Sequence, residues 1–290
     1  RIDKTNLIMI RKKSSFTRDY IVRPLLVLLL LAVQGAVLLS CYTAPVTGRS
    51  QFILLSQSEE NQMGVAAFQE VLETEKISTN AKYNQAVTDV GTRIAAVADT
   101  PAYKWDFKVI EDNEQINAFA LPGGKVAVYT GILPVAQTEA GLATVMAHEV
   151  AHVAARHGGE RISTDILAQI GAMGVSAALG GSDPYISEAV MQAYGIGVTV
   201  GGILPFTRGQ EAEADHIGLI YMAKAGYDPR EAIAFWERMD AAHKGKPQPP
   251  EFLSTHPGYG TRVNNLKQWL PEAIPYYEKA QKAPNNPITK

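Results

Sequence analysis

Apolar residues recur every three or four positions over much of the chain, which is the spacing of a buried helix face. Ser56 and Glu59 form a capping-box pattern that predicts a helix from there through about residue 75. A second helix follows from the apolar positions Val87, Val90, Ile94 and Val97. Further helices are predicted over 139–157, stopped by Gly158 and Gly159, as a close-packed pair within 166–204 with a loop at 180–184, and over 210–225, 229–243 and 260–269.

The period shortens to two in the middle of the chain. Residues 104–110 alternate apolar and polar side chains, and residues 125–130 do the same with Val126, Val128 and Thr130 on one face. The Pro122-Gly123-Gly124 stretch between them predicts a turn. Helices outnumber strands, so the predicted fold class is α+β, mostly helical, with a small β-sheet.

The first forty residues have the pattern of an export signal. Basic residues up to Arg23 precede an apolar run over 24–40, which Gln34 and Gly35 interrupt. The run ends in Leu-Ser-Cys, similar to the lipobox of bacterial lipoproteins, and predicts cleavage before Cys41 and lipidation of its sulfur. The alternative is an uncleaved signal anchor. Residues 1–41 are thus the predicted signal peptide and 42–55 a tether.

Composition restricts what the exported body can do. The chain has 290 residues, of which 46% are hydrophobic and 19% charged, so it is expected to be globular. Beyond position 41 there are 20 basic and 27 acidic residues, a balance that argues against a nucleic-acid partner. Cys41 is the only cysteine, so a metal site in the body would have to use histidines and carboxylates.

His148, Glu149 and His152 form an H-E-x-x-H pattern on the helix predicted over 139–157. Two histidines four residues apart lie on one helix face and can bind one Zn²⁺, while Glu149 is placed to act as general base. The alternative is an amphipathic helix that happens to carry two histidines. Apolar residues surround this pair on nearly every side, so the imidazoles would be buried, which is costly unless a metal compensates.

A catalytic zinc needs a third protein ligand. His157 is near in sequence, but it lies about 140° round the helix from His152, and a cation at the helix C-terminus is its favoured role. Glu211 and Asp215 share a face of a later helix, so Glu211 could bind the metal while Asp215 accepts a hydrogen bond from a ligand histidine. Spacing alone leaves open a solvated acidic face that includes Glu213.

Five motifs in order resemble the M48 family of zinc metalloendopeptidases: NAFALPGG, HEVAH, TRGQEAEAD, AGYDP and FLSTHP. The likeness is greatest to exported bacterial lipoproteins that share a catalytic domain with mitochondrial Oma-type proteases. It implies a zincin-like domain over 56–270, followed by a C-terminal tail over 271–290. It also implies one Zn²⁺ per chain on His148, His152 and Glu211, Glu149 as general base and acid, and Asp215 beside the ligands.

The expected activity is hydrolysis of peptide bonds, by metal-activated water, in unfolded or misassembled envelope proteins. Val126, Val128 and Thr130 are predicted to form an edge strand that pairs with extended substrate. His256 has two candidate site roles, a donor to the oxyanion or a fourth ligand that plugs the zinc, and one structural role, a cap on the following turn. His216 and His243 are expected to be surface or packing residues.

Lipidation at Cys41 followed by Tyr42, rather than Asp, predicts anchoring at the periplasmic face of the outer membrane. The competing hypothesis is an inactive or self-plugged zinc lipoprotein that holds unfolded chains without cleaving them. The sequence leaves the oligomeric state open.

Overall fold

In a computed structural model of the protein, the described residues are 41–100, 103–178, 207–243, 252–253, 256 and 259–289. Residues 43–290 form one compact unit, and of residues 1–42 only 41 and 42 are described. Residues 1–40 of the predicted signal peptide, the loop at 180–184 and the second helix of the pair within 166–204 therefore lie outside the described residues. Within the described ranges, no helix is both long enough and apolar enough to cross a membrane.

The chain contains five short strands and eight α-helices in its described parts. The strands are β1 Cys41–Thr43, β2 Ser50–Phe52, β3 Asp106–Ile110, β4 Ala118–Leu121 and β5 Lys125–Tyr129. The helices are α1 Gln57–Thr74, α2 Ala81–Ala95, α3 Leu133–Ala136, α4 Glu139–Ala154, α5 His157–Ala178, α6 Arg208–Lys224, α7 Glu231–His243 and α8 Tyr259–Lys279, with a 3₁₀ turn at Thr130–Ile132. The predicted mostly helical α+β class is confirmed.

β5 is the central strand of the three-stranded sheet, whose order is β3-β5-β4. It pairs in parallel with β3 and antiparallel with β4. The prediction that Val126, Val128 and Thr130 form an edge strand is therefore wrong. Both valines are fully buried, and Thr130 begins the 3₁₀ turn. The alternation marked a strand correctly, but which strands flank it depends on tertiary pairing.

The first two helices are close to their predicted positions. Ser56 caps α1, with Glu59 completing the capping box, and the helix ends at Thr74. The apolar face of α2 is buried, because Val87, Val90 and Ile94 are at most 1% exposed. This face packs on α4, which lies in the core and has all of its residues buried.

The helix predicted over 139–157 is two helices. α4 ends at Ala154, Arg156 takes a left-handed conformation with φ of 53°, and α5 begins at His157. Gly158 and Gly159 therefore lie inside a helix and do not terminate one. Gly159 is needed there for close packing, since a Cβ at this position would lie 1.6 Å from the Glu60 carboxylate.

Residues 42–55 are not a free tether. β1 and β2 form a two-stranded sheet, and Ala44 and Ile53 are 2% and 5% exposed. The backbone N–H of Leu54 donates to Ser163 on α5 over 2.8 Å. The segment shows no strong hydrophobic period, so its burial could not be predicted from the pattern.

Residues 271–289 of the predicted tail are likewise part of the fold. α8 continues to Lys279 despite Pro271 and Pro275, and Ala273 on it is fully buried. Beyond α8, Ile288 is 1% exposed. Residues 285 and 286 bond to the start of α4, with the Asn285 side chain accepting from the Ala140 N–H over 3.0 Å and the Asn286 carbonyl accepting from the Glu139 N–H over 3.1 Å.

Candidate metal centre

α4 carries the two histidines of the H-E-x-x-H pattern one turn apart. Thr138 caps this helix by accepting from the Gly141 N–H. The Nε2 atoms of His148 and His152 lie 3.1 Å apart, and the side chains are 2% and 3% exposed. Because α4 is apolar all round, these imidazoles are held in the core rather than on a solvated face. The amphipathic-helix alternative is excluded.

Glu211 reaches the same point from α6. The Thr207–Gln210 capping box fixes the start of α6, and Glu211 lies in its first turn. The carboxylate oxygens of Glu211 lie 3.4 Å from His148 Nε2 and 3.3 Å from His152 Nε2. The carboxylate is 2% exposed, so the alternative of a solvated acidic face is wrong for Glu211.

His256 completes the cluster. Its Nδ1 lies 3.0 Å from Glu211 Oε1 and 3.2 Å from His148 Nε2, and its Nε2 lies 3.4 Å from Glu149 Oε1. The ring is 3% exposed. This position inside the cluster favours a site role over a cap on the turn that follows.

The donor set fits a zinc ion. Three imidazole nitrogens and one carboxylate oxygen, from His148, His152, His256 and Glu211, all lie within 4.8 Å of one another. Tetrahedral coordination with metal–ligand bonds of about 2.1 Å places ligand atoms about 3.4 Å apart. With Glu211 Oε1 as the carboxylate donor, four of the six pairs lie between 3.0 and 3.3 Å. The other oxygen of Glu211, Oε2, lies 3.4 Å from His148 Nε2. Converging buried lone pairs at this spacing are costly without a cation between them.

Asp215 and Arg262 contact residues of the cluster and hold their side chains in place. Asp215 Oδ1 lies 2.9 Å from His148 Nδ1, a hydrogen-bond distance without good hydrogen-bond alignment. The Arg262 guanidinium donates Nε to Asp215 and a terminal N–H to Glu211, and it lies 3.9 Å over the Trp236 ring. Arg262 therefore connects a ligand with the partner of another ligand.

Sequence reasoning missed Arg262. It lies six residues beyond His256 in the helix predicted over 260–269, but nothing in the local pattern points to a site, and only the packing of α8 against α6 brings it to the carboxylates. Trp236 on α7 was missed for the same reason, because nothing local to it points to a site.

His157 is not the cation at a helix C-terminus that its position predicted. It begins α5 and is fully buried, because the chain turns at Arg156. Its Nδ1 lies 2.9 Å from Nδ1 of His152, and its Nε2 lies 2.9 Å from Glu213 Oε2. It lies outside the ligand cluster, as predicted, but it contacts a ligand directly.

The surroundings shift the pKa values of the two carboxylates Glu149 and Glu211 in opposite directions. Burial raises the pKa of Glu149, and the imidazoles of His256 and His148 only partly offset it. Burial also opposes ionisation of Glu211, but the neighbouring imidazoles of His148 and His152 hold its pKa well below the ordinary range. Glu211 is therefore the carboxylate of the cluster that stays anionic. Glu149 is therefore a stronger base than an exposed glutamate, which suits a residue that takes up and releases protons.

Comparison of the sequence with known protein families agrees with this geometry. The model of peptidase family M48 matches residues 81–270, which include every member of the cluster. The chain belongs to peptidase family M48. The predicted family is thus confirmed.

Its named relatives are proteases. The chain is 38% identical over 232 residues to the mitochondrial metalloendopeptidase OMA1 of Schizosaccharomyces pombe, covering 79% of this chain and 66% of that protein. It is 32% identical over 266 residues to the Homo sapiens OMA1, covering 84% and 49%. It is 31% identical over 243 residues to the beta-barrel assembly-enhancing protease of Escherichia coli K12, covering 81% and 49%. The chain thus spans from half to two thirds of these relatives' lengths.

The remaining histidines lie away from the cluster where they are described. His216 stacks on Trp269 with ring centroids 4.7 Å apart and donates to or accepts from Glu272 over 2.7 Å, which confirms a packing role. The side chains of His243 and Cys41 lie outside the described residues.

Proposed function

We propose that the protein is a zinc-dependent endopeptidase that hydrolyses peptide bonds in unfolded or misassembled proteins of the bacterial envelope. The observation that carries this proposal is the buried cluster of His148, His152 and Glu211 with Glu149 beside it. Membership of family M48 and the protease names of the relatives support the reaction class. The name of the Escherichia coli relative supports envelope proteins as substrates.

In this proposal His148, His152 and Glu211 hold the zinc, and Glu149 transfers protons. When bound, zinc supplies the Lewis acidity that activates water and polarises a peptide carbonyl. Glu149 accepts a proton from the attacking water and returns it to the leaving amine. Burial raises its pKa, which makes the carboxylate a stronger base for the first of these steps.

β4 replaces β5 as the strand that receives substrate. The Asn117 carbonyl accepts from the Tyr129 N–H, so in this antiparallel pair Phe119 and Leu121 direct their backbone groups towards β5. Ala118 and Ala120 therefore direct theirs to the outer edge, and the Ala120 backbone faces Glu149. An extended chain paired along this edge would be read through its main chain, with little dependence on sequence.

Casein hydrolysis tests the reaction. We expect the wild-type chain with zinc to degrade unfolded casein. Glu149→Gln should lose about 10²- to 10⁴-fold in kcat with zinc still bound, because it removes only the proton transfer. Chelation should abolish activity and added zinc should restore it. Activity that survives Glu149→Gln would contradict the proposed role of Glu149.

A self-plugged holding protein is the second candidate, and the position of His256 favours it. With Nδ1 among the ligand atoms, His256 fills the place that a catalytic zinc keeps open. Equal inactivity of wild type, Glu149→Gln and chelated protein, with casein aggregation suppressed in all three, would support this candidate.

His256→Ala separates the two roles of His256. If the ring plugs the zinc, the variant should gain turnover and bind zinc more weakly. If the ring donates to the developing oxyanion, the variant should lose turnover at unchanged zinc affinity. No change in either quantity would exclude His256 from the site's function.

We also propose that a lipid on Cys41 anchors the protein at the periplasmic face of the outer membrane. The support is the basic, apolar and Leu-Ser-Cys sequence of residues 11–41 and the name of the Escherichia coli relative. The Cys41→Ser variant, expressed in bacteria and fractionated, should move from the membrane to the soluble periplasm.

A further inference from the structure

A chain of polar contacts runs from the proposed metal ligand His152 away from the metal. His152 Nδ1 lies 2.9 Å from His157 Nδ1, and His157 Nε2 lies 2.9 Å from Glu213 Oε2. His157 is fully buried and Glu213 is 7% exposed. A buried polar group without a hydrogen-bond partner destabilises the folded state, so each member of this chain of contacts depends on the next.

The break between α4 and α5 places His157 in this chain. Left-handed Arg156 interrupts the helix, and the side chain of His157, the first residue of α5, lies against His152 of α4. Two contacts hold Arg156: its Nε donates to Glu60 over 2.9 Å and a terminal N–H donates to the Leu55 carbonyl over 2.8 Å. A non-glycine residue with positive φ is strained and persists when its surroundings fix it.

The proton positions follow from the geometry. His152 directs Nε2 to the ligand cluster, so Nε2 must carry the lone pair for a metal and Nδ1 must carry the hydrogen. His157 Nδ1 then accepts this hydrogen, which leaves the hydrogen of the neutral His157 ring on Nε2. That N–H donates to the Glu213 carboxylate. Each contact then has one donor and one acceptor.

Residues 41–52, which form β1, β2 and the loop between them and are called here the N-terminal hairpin, contact Glu213 at the end of this chain of polar contacts. The Arg49 Nε donates to Glu213 Oε2 over 2.7 Å, and the Thr47 hydroxyl donates to Oε1. Arg49 also donates to both oxygens of Glu160 on α5, over 2.6 and 2.8 Å.

We propose that His157 and Glu213 are positioning residues that fix the tautomer and ring orientation of His152, and that Arg49 of the N-terminal hairpin holds them in place. His157 and Glu213 would orient the His152 ring as Asp215 would orient the His148 ring. This inference rests on the proposed zinc site and deepens it, because it makes the segment directly after Cys41 part of the metal centre.

Zinc affinity tests the proposal without reference to catalysis. The full chain is titrated with zinc against a chromogenic chelator, as wild type, His157→Phe and His157→Asn. Phe fills the space without an acceptor, whereas the Asn side-chain oxygen can take the place of the imidazole Nδ1. We expect His157→Phe to weaken zinc binding about 10- to 100-fold, the usual cost of losing a hydrogen-bond partner of a ligand. His157→Asn should recover most of that loss.

His216→Phe is the matched control, since it removes an imidazole that also contacts a carboxylate but lies outside the cluster. It should leave zinc affinity unchanged. The visible spectrum of the Co²⁺-substituted protein should shift for His157→Phe and not for His216→Phe. Arg49→Met should weaken zinc binding in the same direction by a smaller factor.

The outcomes are distinguishable. If His157→Phe lowers only the melting temperature of the metal-free protein and leaves zinc affinity and the Co²⁺ spectrum unchanged, its role is structural and the proposal is wrong. If Arg49→Met alone has no effect on affinity, the hairpin has no part in it. If the wild type itself does not bind zinc, the proposed function fails first.

Discussion

At the scale of single residues, the charge balance of the site depends on Arg262. Its guanidinium is 2% exposed and donates to both Glu211 and Asp215 while its face lies on Trp236. A planar fork can serve two carboxylates at once, which a lysine ammonium cannot do with the same geometry. Arg262 therefore allows two acidic groups to lie side by side in the core.

Arg262→Met should destabilise the metal-free protein by about 3–5 kcal/mol, because removing one partner leaves buried charge uncompensated. Urea unfolding measures this change. Arg230→Met is the control: the Arg230–Asp228 pair is at the surface, where such pairs contribute about 0–1 kcal/mol. Equal losses of unfolding free energy in the two variants would show that buried Arg262 contributes no more to stability than a surface ion pair does. Arg262→Lys should lose about as much unfolding free energy as Arg262→Met.

At the scale of elements, the site is the contact between α4 and α6. Gly218 lets them approach, because a Cβ there would lie 3.0 Å from the backbone nitrogen of His148. That contact determines how far Glu211 and Asp215 lie from the histidines. The glycine is thus required by close packing, and its φ is not positive.

Gly218→Ala should push α6 away from α4 and cost about 1–3 kcal/mol of stability, as overpacking does. It should also weaken zinc binding, since Glu211 moves with the helix. Gly209→Ala, on the same helix, meets only the Thr207 hydroxyl at 3.9 Å and should gain up to about 1 kcal/mol from helix propensity. If Gly218→Ala binds zinc as well as Gly209→Ala does, the two helices are not held at a fixed distance by this contact.

At the scale of the whole molecule, the metal and the fold are expected to stabilise each other. The ligands come from α4, from α6 and from His256, which lies before α8, so an ion would tie together parts of the chain that are far apart in sequence. An ion that binds only the folded state stabilises it by mass action.

Zinc at a thousandfold excess over its dissociation constant should add about 4 kcal/mol of stability. For a domain of this size the melting temperature should rise by roughly 8–16 °C. Calorimetry with and without chelator measures the shift. Glu149→Gln should show the full rise because Glu149 is not a ligand, whereas Glu211→Gln should show much less. A melting temperature that does not respond to chelation would contradict the metal site.

Some of this molecule follows from local pattern alone. The capping box at Ser56, the alternation in β3 and β5, and the apolar surroundings of His148 and His152 were sufficient to predict elements, fold class and a buried pair of histidines. These signals are local, because capping and side-chain period depend on neighbours within a few residues. The family resemblance added Glu211 and Asp215, which spacing had left open.

Other features were decided only by contacts between distant residues. β5 is central because β3 and β4 both pair with it, and His157 faces His152 because Arg156 is held by Glu60. Residues 42–55 and 271–289 show no decisive period, yet they pack on α5 and at the start of α4. The sequence by itself determined which residues could bind a metal. The tertiary structure decided which side chains orient them, because those partners come from segments that only folding brings together.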